Sequence, residues 1–122
     1  MAVLFKLLTV SIVIACFICS GQAQCSLSNV IIKQSNTGVW IHGKPEIQAT
    51  INSACPCQQY NVTFDVAGFQ TTEEVDPNIL NSNGLVYNGN ALPKADEEGL
   101  KFKYAWDSLF LFKPISSQIA CS

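Results

Sequence analysis

Four cysteines follow an apolar leader, and their spacing restricts the fold more than any other feature: Cys25, Cys55, Cys57 and Cys121. Cys55 and Cys57 are separated only by Pro56, and a ring that small would be strained against normal disulfide geometry, so these two are not expected to pair with each other. Both remaining pairings tie Cys25 and Cys121 to the Cys-Pro-Cys segment, so the two ends of the mature chain meet at one hub. Pro56 favours extended backbone there, which sends both thiols to the same side. Closing loops of about 30 and about 65 residues stabilises by roughly 3 to 4 kcal/mol each in the loop-entropy estimate.

The leader makes those disulfides chemically reasonable. Lys6 is the only charge before the run Leu7 to Cys19, which is interrupted only by Thr9 and Ser11. A run of that length followed by Gly21 and Ala23 reads as a signal peptide over residues 1–23, cleaved between Ala23 and Gln24, rather than as an uncleaved anchor. Cys16 and Cys19 would leave with it, and the other four would enter an oxidising compartment as two disulfides. The expected location is extracellular. A Cys-x-Cys pair can also chelate zinc, but a single histidine and a secretory leader argue against a metal site.

Residues 24–122 hold 42 apolar side chains, ten of them aromatic, which suits one compact domain and not two. They carry six lysines, no arginine and nine acids, a formal charge of −3. With no basic tract, nucleic acid is a poor partner. No later apolar run approaches the roughly 20 residues a bilayer requires, so no membrane insertion is expected after cleavage.

Short alternating segments dominate. Glu46 to Asn52 puts Ile47, Ala49 and Ile51 on one face, and Gln59 to Ala67 does the same with Tyr60, Val62, Phe64 and Val66. Leu100 to Trp106 alternates again, with Phe102 and Tyr104 opposite Lys101 and Lys103. Leu109 to Lys113 is a continuous apolar run, as expected of a strand covered on both sides. Asn29 to Gln34 and Val39 to Ile41 are two further strands, joined by a turn at Ser35-Asn36-Thr37-Gly38. Gly43-Lys44-Pro45, Asp76-Pro77-Asn78, Asn83-Gly84 and Asp96-Glu97-Glu98-Gly99 read as turns, and Asn88-Gly89 as the best hairpin signal. The pattern predicts an all-β fold, a single small antiparallel β-sandwich stabilised by two disulfides.

Catalytic chemistry finds little purchase. His42 is the only imidazole and stands beside a turn, where a histidine is usually solvated. Glu73 with Glu74, and Asp96 to Glu98, are neighbouring acids of the kind that normally form a solvated face rather than a glycosidase pair. There is no Asp-x-Asp and no Gly-rich phosphate loop after a strand, so neither an enzyme nor a cofactor is expected. Asn61-Val62-Thr63 is a glycosylation sequon on the outward face of its strand. Trp40 and Trp106 are the candidate partner-binding residues, although Trp106 continues an apolar stripe, which favours a core role for it over a binding one.

In order along the chain come Cys25-Ser26-Leu27, QSNTG at Gln34 to Gly38, Gly43-Lys44-Pro45-Glu46, Cys55-Pro56-Cys57, Gly68-Phe69-Gln70, Asp76-Pro77, Asn88-Gly89, and KYAWD at Lys103 to Asp107. This ordered set, covering about Cys25 to Cys121, resembles the plant tapetum determinant family. The resemblance implies a small secreted cysteine-rich signalling protein in the apoplast, a ligand of a leucine-rich-repeat receptor kinase that specifies cell fate in the anther. A cell-wall carbohydrate-binding module using Trp40 is the alternative. Many proteins of that family have cysteines where Val66 stands and near Gly84; their joint absence here suggests that they pair with each other in those relatives.

Overall fold

The computed structural model describes residues 25–121, and the expected signal peptide lies outside them. Five strands follow in order: β1 (Val30–Ile41), β2 (Lys44–Ser53), β3 (Gln58–Asp65), β4 (Leu100–Ala105) and β5 (Lys113–Ala120). All pair antiparallel, β1-β2-β4 as one sheet and β3-β5 as the other. Single turns of 3-10 helix at Leu27–Asn29 and Tyr87–Gly89 complete the regular structure of the described residues. The all-β antiparallel architecture is the one expected from the alternation.

The core lies between the sheets. Ile47, Ala49 and Ile51 of β2 and Phe102 and Tyr104 of β4 meet Val62 and Phe64 of β3, with Phe112 entering from just before β5. Leu80, Val86 and Leu92 close it from the long segment between β3 and β4. Phe69, from the same segment, packs on Tyr104, Phe110 and Phe112 with ring centroids 5.2 Å apart in each case. Tilted and edge-to-face contacts of this kind are worth about 0.5–1.5 kcal/mol beyond area burial, which helps fix a long connection that carries no strand of its own.

Several local expectations need correction. Val30–Ile41 is one strand, not two joined by a turn, and Asn29 belongs to the 3-10 turn before it: Asn36 pairs with Ile47 and Trp40 with Pro45, so two extra residues bulge out of β1. The hairpin turn falls on His42 and Gly43, whose φ values of 51° and 79° are those of a two-residue primed turn, and Pro45 lies inside β2. Its missing N–H is tolerated because the β2–β4 ladder begins only at Glu46. In β3 the buried set is Gln59, Val62 and Phe64, not Tyr60, Val62 and Phe64. Asn61, with φ 50°, sits in a register shift between Tyr60 and Thr63, and that bulge inverts the pleat.

Leu109 to Phe112 is not a strand. The Phe110 N–H donates to the Tyr104 hydroxyl at 3.0 Å and its carbonyl accepts from Gln34 Nε2 at 2.8 Å, so side chains replace a ladder there. Phe112 is buried while Leu109 and Leu111 point outward, 53% and 86% exposed. Asn88 and Gly89 do adopt positive φ, but within the 3-10 turn rather than at the tip of a paired hairpin.

The cross-links are Cys25–Cys55 and Cys57–Cys121, with Cα–Cα separations of 5.6 and 4.9 Å. Both chain ends therefore meet at Cys-Pro-Cys, and of the two pairings left open by the spacing this one is realised. Lys94 reinforces the hub: its ammonium donates to the carbonyls of Cys55 at 3.1 Å, Pro56 at 3.2 Å, and Cys57. Beneath it Gln59, fully buried, accepts from Ser53 Oγ at 2.7 Å and donates to the Ser26 carbonyl at 3.0 Å and Ser117 Oγ at 3.2 Å. A buried amide is tolerable only when so satisfied.

Candidate functional site at the tryptophan end

Strand β2 runs from the hairpin turn to the hub, so its first residues mark the end of the molecule remote from both disulfides. There the bulge in β1 leaves Trp40 68% exposed and Val39 48% exposed. On the neighbouring side β4 stops at Ala105, where its ladder with β2 ends opposite Glu46 and the next β2 residue, Pro45, has no N–H to offer; Thr72 N–H donates to the Ala105 carbonyl at 2.8 Å. Trp106 therefore leaves the apolar stripe it was expected to continue and is half-buried beyond the strand end, not in the core.

Trp40 and Trp106 come together on one groove of about 450 Å³, with Val39, Pro45 and Leu109 as apolar walls and Asn36, Asp107 and Ser108 as polar ones. Of the six exposed large apolar side chains among the described residues, Val39, Trp40 and Leu109 line this groove. Such clustering is uncommon on a soluble surface without a binding role, and tryptophan is the side chain most enriched at binding hot spots. Lys44 Nζ stands 5.1 Å from the Trp106 ring centroid and 2.7 Å from Asp107 Oδ1. The ion pair is partly solvated and worth at most about 1 kcal/mol, so it orients Trp106 more than it stabilises the fold.

Sequence reasoning missed a second feature of this end. Glu73 is not on a solvated face: it is half-buried, its carboxyl meets that of Glu46, and its Oε1 is buried without a donor. Glu46 is itself 5% exposed and accepts from Thr37 Oγ1 at 2.7 Å. Burial, then the hydrogen bond and negative charge of Glu46, push the Glu73 carboxyl up to about 7. Contact with Glu73 and with Thr37 lowers Glu46. The two acids are 27 positions apart in sequence, and nothing in their local patterns announces the meeting. Glu74 is exposed, as expected.

Other candidates stay apart. His42 is exposed at the hairpin tip, and Asp96, Glu97 and Glu98 are exposed, with Glu97 capping the Lys94 N–H at 2.7 Å. Asn61 is exposed, but its Nδ2 donates to Gln118 Oε1 and its Oδ1 lies where a Cβ on Gly89 would sit. Among the described residues no group of three or more His, Cys, Asp or Glu is placed to hold a metal ion, and no helix is long and apolar enough to cross a membrane.

A separate cleft is lined by Val66, Phe69, Val75, Leu80 and Ser82. Beside it Phe64 N–H donates to the Gly84 carbonyl at 2.8 Å, and a Cβ on Gly84 would come 2.0 Å from Phe64 O.

Fold and cross-links together define a small cystine-bonded β-sandwich domain with an aromatic groove at its free end. A family model described as Tapetum determinant 1, C-terminal, matches residues 26–122, and the chain belongs to that family. Comparison with the curated proteins finds no match, and comparison with the solved structures finds none either.

Proposed function

We propose that this chain is a secreted signalling protein of the plant apoplast, acting in anther development as a ligand of a leucine-rich-repeat receptor kinase ectodomain. Membership of the tapetum determinant family supports the signalling role. Two disulfides in a small domain suit an extracellular life. The observation that carries the reading is the groove where Trp40 and Trp106 meet, an exposed aromatic surface on a domain cross-linked at its other end. Mechanistically the protein acts by association. A scaffold already ordered by its cross-links loses little conformational freedom on binding, and receptor repeats offer an extended concave surface. On this reading residues 1–23 are removed on export and Asn61 bears a glycan, which the mass of the Asn61-containing peptide before and after deglycosylation tests.

Capture of the purified extracellular protein on immobilised receptor-kinase ectodomains at physiological salt is the functional test. Binding above background, lost with Trp40→Ala, is the expected result; no binding to any such ectodomain would count against the ligand role. A second reading rests on the same ring: Trp40 beside Asn36, Asp107 and Ser108 also has the make-up of a sugar platform. Glycan-array binding abolished by Trp40→Ala would favour a cell-wall carbohydrate module instead.

A further inference from the structure

The segment Thr71 to Glu73 is fastened to the end of β4 at Ala105. The Ala105 N–H donates to Thr71 Oγ1 at 2.9 Å, and Thr72 Oγ1 donates to the Ile41 carbonyl at 2.8 Å. Glu73 then reaches Glu46 on the outward face of β2, and Glu46 in turn accepts from Thr37 within the β1 bulge. Thr37 lies between Asn36 and Gly38, both of which line the tryptophan groove. One carboxyl contact therefore joins the long connection, the central sheet and the bulge that exposes Trp40.

The buried Glu73 Oε1 has no hydrogen-bond donor within reach. As a carboxylate it would be an unpaired acceptor facing a second negative charge; as a carboxylic acid it becomes the donor that Glu46 accepts. The surrounding charges do not remove this requirement. Lys103 stands opposite Gln48 in the β2–β4 register and shares an open cleft with Glu73, Lys101, Glu74 and Asp76. Lys44, two residues before Glu46, is engaged by Asp107. From β1 the contact is neutral Thr37.

We propose that Glu46 and Glu73 form a proton-operated clasp, which holds the Thr71–Glu73 segment and the Thr37 flank of the tryptophan groove together in mildly acidic surroundings and loosens them when the shared proton is lost. As regulation of the receptor-facing surface, the clasp rests on the function proposed above. The opening itself belongs to the free protein. Its sign follows from linkage: the folded clasp binds a proton that the released carboxyl gives up, so closure weakens as pH rises from the ordinary carboxyl range toward about 7 and then levels off.

Amide hydrogen exchange of the purified extracellular protein, expressed as protection factors, tests this. Between about pH 5.5 and about pH 8, protection at Thr72 and Ala105 is expected to fall at least about tenfold while that of Phe102 stays constant. Glu73→Gln, whose amide donates to Glu46 at any pH, should hold the acidic level of protection throughout, and His42→Gln should keep the wild-type step. A flat wild-type profile, a step that survives in Glu73→Gln, or one lost in His42→Gln would overturn the clasp. A step without receptor binding would remove only the receptor reading, and receptor binding with a flat profile would remove only the clasp.

Discussion

The two ends of β2 are built on opposite principles. At Ser53 the strand runs into a hub where two disulfides, the Lys94 ammonium over three carbonyls and the buried Gln59 amide tie four chain segments together. At Lys44 it leaves a two-residue turn whose neighbours are an exposed tryptophan, a solvated ion pair and a pair of carboxyls. Covalent closure stabilises by restricting the unfolded chain wherever it is placed. Concentrating it at one end leaves the other free to expose apolar surface and to carry a titratable contact that a uniformly tight fold would exclude.

Breaking the hub should have the largest effect. Replacing Cys57 and Cys121 together by serine removes the longer loop constraint without leaving an orphan thiol, and should cost about 2–5 kcal/mol in denaturant unfolding. An equal loss from substitutions at the hairpin tip would erase the distinction between the ends. Next comes Gln59→Leu, which leaves the Ser53 hydroxyl and the Ser26 carbonyl without their buried partner and should cost about 1–3 kcal/mol.

The pH profile sharpens the contrast from the other side. The raised Glu73 carboxyl makes the folded state hold a proton, so stability should fall as pH rises from near 4.5 toward about 7. The lowered Glu46 carboxyl works the opposite way: its contribution is present above its ordinary value and lost as pH falls below it. Thermal melts should therefore pass through a maximum in the mildly acidic range, and Glu73→Gln should flatten only the neutral side. The smallest effect belongs to the Lys44–Asp107 pair. Asp107→Asn should change stability by less than about 1 kcal/mol, detectable more readily as a change in Trp106 fluorescence than as a shift in melting.

How much of this was legible in the sequence follows the same division. The hub was readable because two cysteines flanking one proline leave only two ways to close the chain, and the β2 and β4 faces were readable because Ile47, Ala49, Ile51, Phe102 and Tyr104 alternate without interruption. The tryptophan end depends on irregularities. The bulge after Asn36 hides inside a segment that reads as a turn, and the inversion at Asn61 disguises Gln59 as a surface residue. Trp106 reads as core until the β2–β4 ladder stops at the Glu46–Ala105 pair, one residue short of it. Glu46 and Glu73 meet through tertiary packing alone, and a local pattern cannot report a contact between a strand residue and a distant connection. Lys94 is similar: a lone lysine before an acidic turn gives no sign that three carbonyls converge on it.

Holding and binding are separated between the two ends of β2, and Trp40→Ala probes that separation when melting temperature and affinity for a receptor-kinase ectodomain are measured on the same sample. Trp40 is mostly exposed and remote from the cross-links, so the melting temperature should stay within about 2 °C while affinity falls about tenfold or more. Unchanged affinity, or a fall in melting temperature like that of the disulfide variant, would contradict it.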